Sequence, residues 1–122
     1  MGALLWDNIK AIESEVCRPK LMIMLDFDGT LSSIVPDPAA ASILTSAKES
    51  LERLIALSGV CVAVISGRAL SDIKSRVGLP GIVYAGDHGL EIEGPGISLT
   101  VQVDSALQAA VREAEIAVEA LA

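Results

Sequence analysis

The chain has 122 residues, of which 52% are hydrophobic, so it can bury one core but is too short for two ordinary domains. Nine basic residues against sixteen acidic ones give a net charge of −7, which disfavours nucleic acid and anionic membranes as partners. The N-terminus lacks the basic segment of a signal peptide. Two unpatterned cysteines are typical of a reducing environment, and we predict a cytoplasmic location.

The first half of the chain begins with helical and then strand-like patterns. Apolar residues recur at helical spacing over residues 4–16, which predicts a surface helix. The continuous apolar run over 21–25 predicts a strand buried on both faces, as in a parallel sheet. Glycine and prolines over residues 29–43 indicate a loop.

Two further helix–strand units follow this loop. Apolar spacing predicts a helix that ends near Gly59, then a buried strand over 60–65 in which Cys61 packs as a small hydrophobic residue. A short helix over 70–77 and a third strand over 82–85 come next. The order predicts an α/β fold with half of a doubly wound parallel sheet.

The last part of the chain has a different pattern. Residues 90–93 and 97–103 flank Gly-Pro-Gly and predict a hairpin. A helix beginning near Asp104 carries one apolar stripe, more often used for core packing than for a partner.

The first strand ends in Asp26-Phe27-Asp28-Gly29-Thr30-Leu31. Two carboxylates that point the same way at a strand tip repel each other unless a cation is close, and Mg²⁺ prefers such hard oxygen ligands. Asp26 suits attack on phosphorus, and Asp28 suits proton transfer to the leaving oxygen. Gly29 permits close backbone approach to a phosphate. An ordinary Asx turn is the plainer interpretation of Asp28-Gly29.

The second strand ends in Ser66-Gly67-Arg68, at the start of a predicted helix. A hydroxyl group and free helix amides form a phosphate site, and Arg68 adds a charged donor for a phosphate or a sugar hydroxyl. The alternative is that Ser66 only caps the helix. Neighbouring strands lie about 4.8 Å apart, so we expect Ser66 and Asp26 to reach the same phosphate.

The third strand leads into Asp87 and His88, the only histidine. With the second strand between the first and third, Asp87 would lie about 10 Å from Asp26, which suits a substrate contact better than a metal ligand. A lone histidine is more often a structural hydrogen bonder. Glu91 and Glu93 alternate with apolar residues, as on the wet face of a strand.

These motifs resemble the haloacid dehalogenase superfamily, at Asp26 to Leu31 and Val64 to Arg68. Residues 25–41, 64–81 and 84–96 are similar to the trehalose-6-phosphate phosphatase family. The similarity runs from about Leu21 to the end of the chain. It implies a Rossmann-like parallel sheet of the haloacid dehalogenase type, incomplete here, with residues 1–122 forming the N-terminal half of a phosphatase core and the last helix leading to a cap domain.

The resemblance also implies roles for individual residues. Asp26 would be the nucleophile and a magnesium ligand, and Asp28 the general acid/base, binding Mg²⁺ through its backbone carbonyl. The remaining implied site residues are phosphate-binding or sugar-facing: Gly29, Thr30, Ser66, Gly67, Arg68, His88 and Glu91. The substrate would be a small sugar phosphate, trehalose 6-phosphate.

The sequence departs from the family pattern at two points. Asp87 stands where the family commonly has Asn. The family's downstream lysine and acidic pair have no counterpart after residue 96, where Arg112 is the only basic residue. We therefore expect a fragment or truncated reading frame with little activity on its own, since each missing charge-stabilising donor costs about a hundredfold in rate.

Three other functions remain open at this stage. The chain could belong to another phosphatase of the same superfamily that acts on a different sugar phosphate. It could be an inactive binding module that self-associates through the exposed stripe of its last helix. A receiver-type phosphoacceptor is the weakest alternative, because no separate acidic pair precedes Asp26.

Overall fold

A single five-stranded sheet organises the chain. The structure, a computed structural model, describes residues 8–16 and 20–121. In spatial order the strands are β1 (Leu21–Asp26), β2 (Val60–Ile65), β3 (Val83–Gly86), β4 (Glu91–Gly94) and β5 (Ile97–Thr100). The first three are parallel and the last two antiparallel. The prediction that the second strand lies between the first and third is confirmed.

In the part of the chain that the structure describes, four α-helices accompany the sheet: α1 (Ile9–Val16), α2 (Thr45–Ile55), α3 (Leu70–Val77) and α4 (Ser105–Glu119). The start of the predicted first helix, residues 4–7, lies outside the described residues. The third helix ends where the sequence predicts, because Gly78 adopts a left-handed φ of 66° that lets its amide bond back to Lys74.

One face of the sheet carries the core. Helix α2 packs on β2 and α3 packs on β3. The buried cluster combines strand residues with helix residues and the residue after β1; its largest members are Phe27, Leu51, Val62, Val64, Ile73, Val77, Ile82 and Tyr84. This layer fixes the carboxyl ends of the three parallel strands relative to one another.

The opposite face of β1 and β2 is more exposed than the sequence predicts. Met22 and Met24 are 51% and 60% exposed, and Cys61, which pairs with Met22 across the two strands, is also exposed. The expectations of a first strand buried on both faces and of a buried Cys61 are therefore wrong. The physical reason is that α2 and α3 both lie on the other face, so alternate side chains of these strands point away from the core.

The predicted hairpin and last helix are both present. Asp104 caps α4 by accepting a hydrogen bond from the amide of Leu107 at 2.7 Å. Every residue of α4 is exposed, including the apolar stripe. Across the described ranges, none of the helices combines the length and apolar character needed to cross a lipid bilayer.

Candidate active site

The carboxyl ends of β1, β2 and β3 meet at one edge of the sheet. Asp26 is paired with Ile65, and Ile65 with Ala85, so the residues that follow these positions lie side by side. Asp26 is exposed at this edge, and Ser66 follows Ile65 on the neighbouring strand. A strand spacing of about 4.8 Å places the two within reach of one bound group.

The backbone turns sharply after β1. The carbonyl of the buried Phe27 accepts hydrogen bonds from the amides of Thr30, Leu31 and Ser32 at 3.2, 2.9 and 3.0 Å. Gly29 has a φ of +82°, a conformation that other L-residues rarely adopt. This tight turn keeps Asp28, Gly29 and Thr30 exposed at the strand edge, beside Asp26.

The guanidinium group of Arg68 binds Asp28. Arg68 Nε and Nη2 donate to the two carboxylate oxygens at 3.0 and 2.7 Å, a bidentate pair. This hydrogen bonding holds the pKa of Asp28 below its usual range. The guanidinium carbon also lies 5.7 Å from the centre of the Phe27 ring, within cation–π range. The predicted role of Arg68 toward phosphate or sugar stays a prediction, since its present partner is Asp28.

Two residues that the sequence analysis did not single out extend this network. Asp72 accepts a hydrogen bond from Arg68 Nη1 at 3.2 Å and from Arg76 Nε at 2.9 and 3.0 Å. Arg76 Nη1 in turn donates to the carbonyls of Ala39 and Ala41 at 3.2 and 2.5 Å. The Arg-Asp-Arg spacing of four residues was a visible signal of a helical ion-pair row.

Ser66 and Gly67 form a turn rather than the first residues of a helix. Ser66 is buried, and its hydroxyl accepts a hydrogen bond from the amide of Arg68 at 3.0 Å. Helix α3 begins only at Leu70, with Ala69 as N-cap and no side-chain cap. The alternative that Ser66 caps the helix is therefore wrong: Ser66 stabilises the turn that precedes it.

His88 lies directly over Gly67. A Cβ atom on Gly67 would come within 2.6 Å of His88 Cε1, so the ring holds this position only because residue 67 is glycine. Main-chain hydrogen bonds also join the two turns. The amide of His88 donates to the carbonyl of Ser66 at 3.1 Å, and the amide of Asp87 donates to the carbonyl of Arg68 at 2.8 Å. Asp87 and His88 both have positive φ, 48° and 57°, an uncommon pair of conformations that often marks a functional site.

The remaining candidates lie farther along the edge. Asp87 follows β3, two strand spacings or about 10 Å from Asp26. Glu91 begins β4, where it pairs with Gly86, and so lies about 14 Å from Asp26 across the sheet. The structure thus brings together Asp26, Asp28, the turn residues, Ser66, Gly67, Arg68 and His88, and places Glu91 at the periphery.

The donors available for a metal ion are few. Within residues 8–16 and 20–121 the structure contains no group of three or more His, Cys, Asp or Glu side chains that could hold one. Asp26 and the backbone carbonyl of Asp28 supply hard oxygen atoms of the type that Mg²⁺ takes, and Mg²⁺ commonly keeps several waters beside one or two carboxylates. The residues present therefore fit a magnesium ion held partly by water and substrate.

Three parallel strands, the first ending at Asp26 with Asp28 two residues beyond it and the second followed by a serine turn, have the architecture of a haloacid dehalogenase-like core. The family model for trehalose-phosphatase matches residues 24–120. The chain belongs to the trehalose-phosphatase family.

Related proteins and solved structures agree with this assignment. Trehalose-phosphate phosphatases of Mycobacterium bovis and Mycobacterium ulcerans are 53% and 51% identical over 73 and 77 residues, or 60% and 63% of this chain. The chain spans about a fifth of their length, 18% and 19%.

The structure of Aspergillus fumigatus trehalose-6-phosphate phosphatase superimposes with a TM-score of 0.72 at 30% identity, covering 92% of this chain and 43% of that one. The C-terminal domain of the Candida albicans enzyme gives 0.75 at 24% identity, covering 91% of this chain and 39% of that one, which supports the fold.

Proposed function

We propose that this chain carries the nucleophile and the phosphate-binding turns of a phosphatase that hydrolyses trehalose 6-phosphate to trehalose and phosphate. The observation that carries the proposal is the exposed Asp26 at the end of β1, beside the Ser66 turn of β2, in a chain of the trehalose-phosphatase family. Sugar specificity is part of the proposal, supported by the family and by the names of its relatives.

The proposed reaction has two steps. In the first, an oxygen of Asp26 forms a bond to phosphorus, the ester bond to the sugar oxygen breaks, and the leaving oxygen takes a proton from Asp28. In the second, water attacks the aspartyl phosphate, its proton passes to Asp28, and Asp26 is released with inorganic phosphate. Asp26 acts as nucleophile and Asp28 as acid and then base.

The site supplies positive charge at the places where the reaction needs it. The amide of Gly29 and the Ser66 hydroxyl would bind phosphate oxygens, and Asp26 with the Asp28 carbonyl would hold Mg²⁺. When bound, Mg²⁺ offsets the negative charge of the phosphoryl oxygens. These groups would provide a local positive field that overcomes the net charge of −7, which would otherwise repel a phosphate ester.

Arg68 has a defined place in this scheme. Its bidentate pair favours the ionised form of Asp28, which is the form that removes a proton from water in the second step. For the first step Asp28 must carry a proton, so the pair must loosen when the ester arrives. The charge of the ester offers the guanidinium a competing partner.

His88 is proposed to contact the sugar, together with Glu91 at the far end of the edge. His88 is exposed, and its ring lies against Gly67. We also propose a cytoplasmic setting, supported by the exposed free thiol of Cys61, which fits a reducing compartment.

Phosphate release from trehalose 6-phosphate tests the proposal, measured with and without Mg²⁺. Asp26→Asn should abolish release, whereas Asp104→Asn, an equivalent change that keeps the α4 cap, should leave it unaltered. A panel of other sugar phosphates should be hydrolysed more slowly. Release that survives Asp26→Asn, or release that is the same with and without Mg²⁺, would contradict the proposal.

A second proposal concerns self-association through α4. Leu107, Val111 and Val118 are between 49% and 67% exposed, an apolar stripe on a helix with no buried residue, and Leu121, just beyond the helix, is 88% exposed. Replacing Leu107 and Val111 with glutamate should convert an associated chain to a monomer in light scattering. A chain that is monomeric before and after the change would contradict it.

A further inference from the structure

We propose that Asp72 is a positioning residue, which fixes Arg68 and through it the carboxylate of Asp28 over the strand edge. The inference rests on the proposed function, because it assigns Asp72 to the proton-transfer part of that reaction. Asp72 lies in the first turn of α3, and none of the site roles assigned above includes it.

The first step concerns the guanidinium group of Arg68. Each of its three nitrogens has an acceptor: Nε and Nη2 bind Asp28, Nη1 binds Asp72, and Nη2 also binds the carbonyl of Pro38 at 2.9 Å. A planar group held on three sides has one orientation. Asp72 binds Nη1, the nitrogen that does not contact Asp28, so it sets the direction in which Nε and Nη2 point.

The second step concerns Asp72 itself, which lies between two cations. Its oxygens bind Arg76 Nε at 2.9 and 3.0 Å as well as Arg68. Arg76 is tied to the carbonyls of Ala39 and Ala41, in the loop that also carries Pro38. Removing the charge of Asp72 would leave two like charges facing each other and would release Arg68 from α3.

An ordinary ion pair between the same helix and β4 provides a comparison. Lys74 and Glu93 lie 2.6 Å apart, with side chains 38% and 49% exposed, and such pairs contribute little to stability. The arginines that flank Asp72 are only 14% and 18% exposed, and both also bind backbone carbonyls. Their shielding from solvent makes the Asp72 row more rigid than a surface pair.

The consequence for the reaction depends on the leaving group. A sugar alkoxide needs a proton from Asp28 as it departs, whereas p-nitrophenolate is stable without one. Misplacing Asp28 should therefore slow the first step, release of the leaving group, for trehalose 6-phosphate and spare it for p-nitrophenyl phosphate, while a general loss of structure would slow it for both. The second step needs Asp28 as base whichever ester is used, so the two substrates are compared on the first turnover.

The kinetic experiment compares Asp72→Asn, Asp72→Glu and the control Glu93→Gln on the full chain. Asp72→Asn should lower the single-turnover rate of trehalose release about tenfold, the usual effect of removing a group that orients a catalytic residue. The single-turnover rate of p-nitrophenolate release should stay near that of the unaltered protein. Asp72→Glu, which keeps the charge, should recover part of the loss, and Glu93→Gln should have no effect. Equal losses on both substrates would overturn the proposal.

A spectroscopic experiment decides the same point without turnover. The Nε proton of Arg68, donated to Asp28, should exchange slowly with solvent and give a resolved nitrogen–proton signal in NMR, assigned by its loss in Arg68→Lys. Asp72→Asn should broaden or shift that signal although Asp72 does not bind Nε, and Glu93→Gln should not. An unchanged Arg68 signal in Asp72→Asn would refute the positioning role. An altered signal in a chain that hydrolyses neither substrate would still support the positioning role, because the hydrogen bond that the signal reports does not depend on turnover.

Discussion

Substitution by alanine should have different effects on stability at two glycines of the strand edge, Gly86 and Gly67. A Cβ on Gly86 would lie 2.4 and 2.5 Å from the backbone N and Cα of Leu70, at the first turn of α3. Backbone atoms of a packed helix cannot move aside cheaply. Gly86 has a φ of −100°, which alanine tolerates, so the effect is purely steric.

A Cβ on Gly67 instead meets the tip of an exposed side chain. Its nearest atoms are His88 Cε1 at 2.6 Å and Nε2 at 2.9 Å. Ordinary contact needs about 3.5–4.0 Å, so the ring must move by roughly 1 Å, which a side-chain rotation achieves.

The magnitudes follow from these contacts. Gly86→Ala should lower the free energy of unfolding by about 2–3 kcal/mol, the cost of overpacking against fixed atoms. At about 4 °C per kcal/mol for a chain of this size, Tm should fall by about 10 °C. Gly67→Ala should change the free energy of unfolding by less than about 1 kcal/mol, because the lower entropy of the unfolded chain offsets the small cost of moving the ring.

Thermal and denaturant unfolding measure both effects, and NMR locates the ring. The chain has one histidine, so its imidazole signals need no assignment by mutation. Gly67→Ala should shift them with Tm nearly constant. The reasoning is refuted if Gly86→Ala unfolds like the unaltered protein, or if Gly67→Ala leaves the imidazole signals in place.

Three further predictions concern other contacts. Tyr84→Phe should cost about 1–2 kcal/mol in denaturant unfolding, because the buried hydroxyl of Tyr84 donates to the carbonyl of Leu79 and accepts from its amide; an unchanged midpoint would contradict this. Hydrogen bonds from Arg76 and Arg68 lower the pKa of Asp72, so its contribution to stability should be present above the unfolded-state pKa and be lost as pH falls through the lower folded value; the Tm of Asp72→Asn should therefore depend less on pH in that acid range. Asp104→Ala should remove the α4 cap, costing about 1 kcal/mol and reducing helical circular dichroism while leaving the sheet intact.

The strand order and the main site turns were predictable because they depend on local patterns. An apolar run followed by Asp26, and another followed by Ser66, determine two neighbouring strand ends once the crossovers are right-handed. The hairpin and the cap at Asp104 are likewise local.

Features that depend on tertiary packing were not predictable from the same patterns. An apolar run has the same appearance whether one or both faces are covered, so the exposure of Met22 and Cys61 depended on where the helices pack. The link from Arg68 to Asp28 joins residues forty positions apart. Its continuation to Asp72 and Arg76 follows helical spacing. The sequence therefore predicts the pairs with Asp72 but not the pair between Arg68 and Asp28.

The backbone at Asp87 and His88 has a consequence for how stability and activity compete in this protein. Two successive non-glycine residues with positive φ each cost about 1 kcal/mol relative to glycine, so this turn lowers the stability of the fold. Glycine at position 87 should raise Tm, yet it would free the main chain that holds the His88 ring against Gly67. Directed evolution for thermostability should therefore select Asp87→Gly readily, and would do so at the expense of the site.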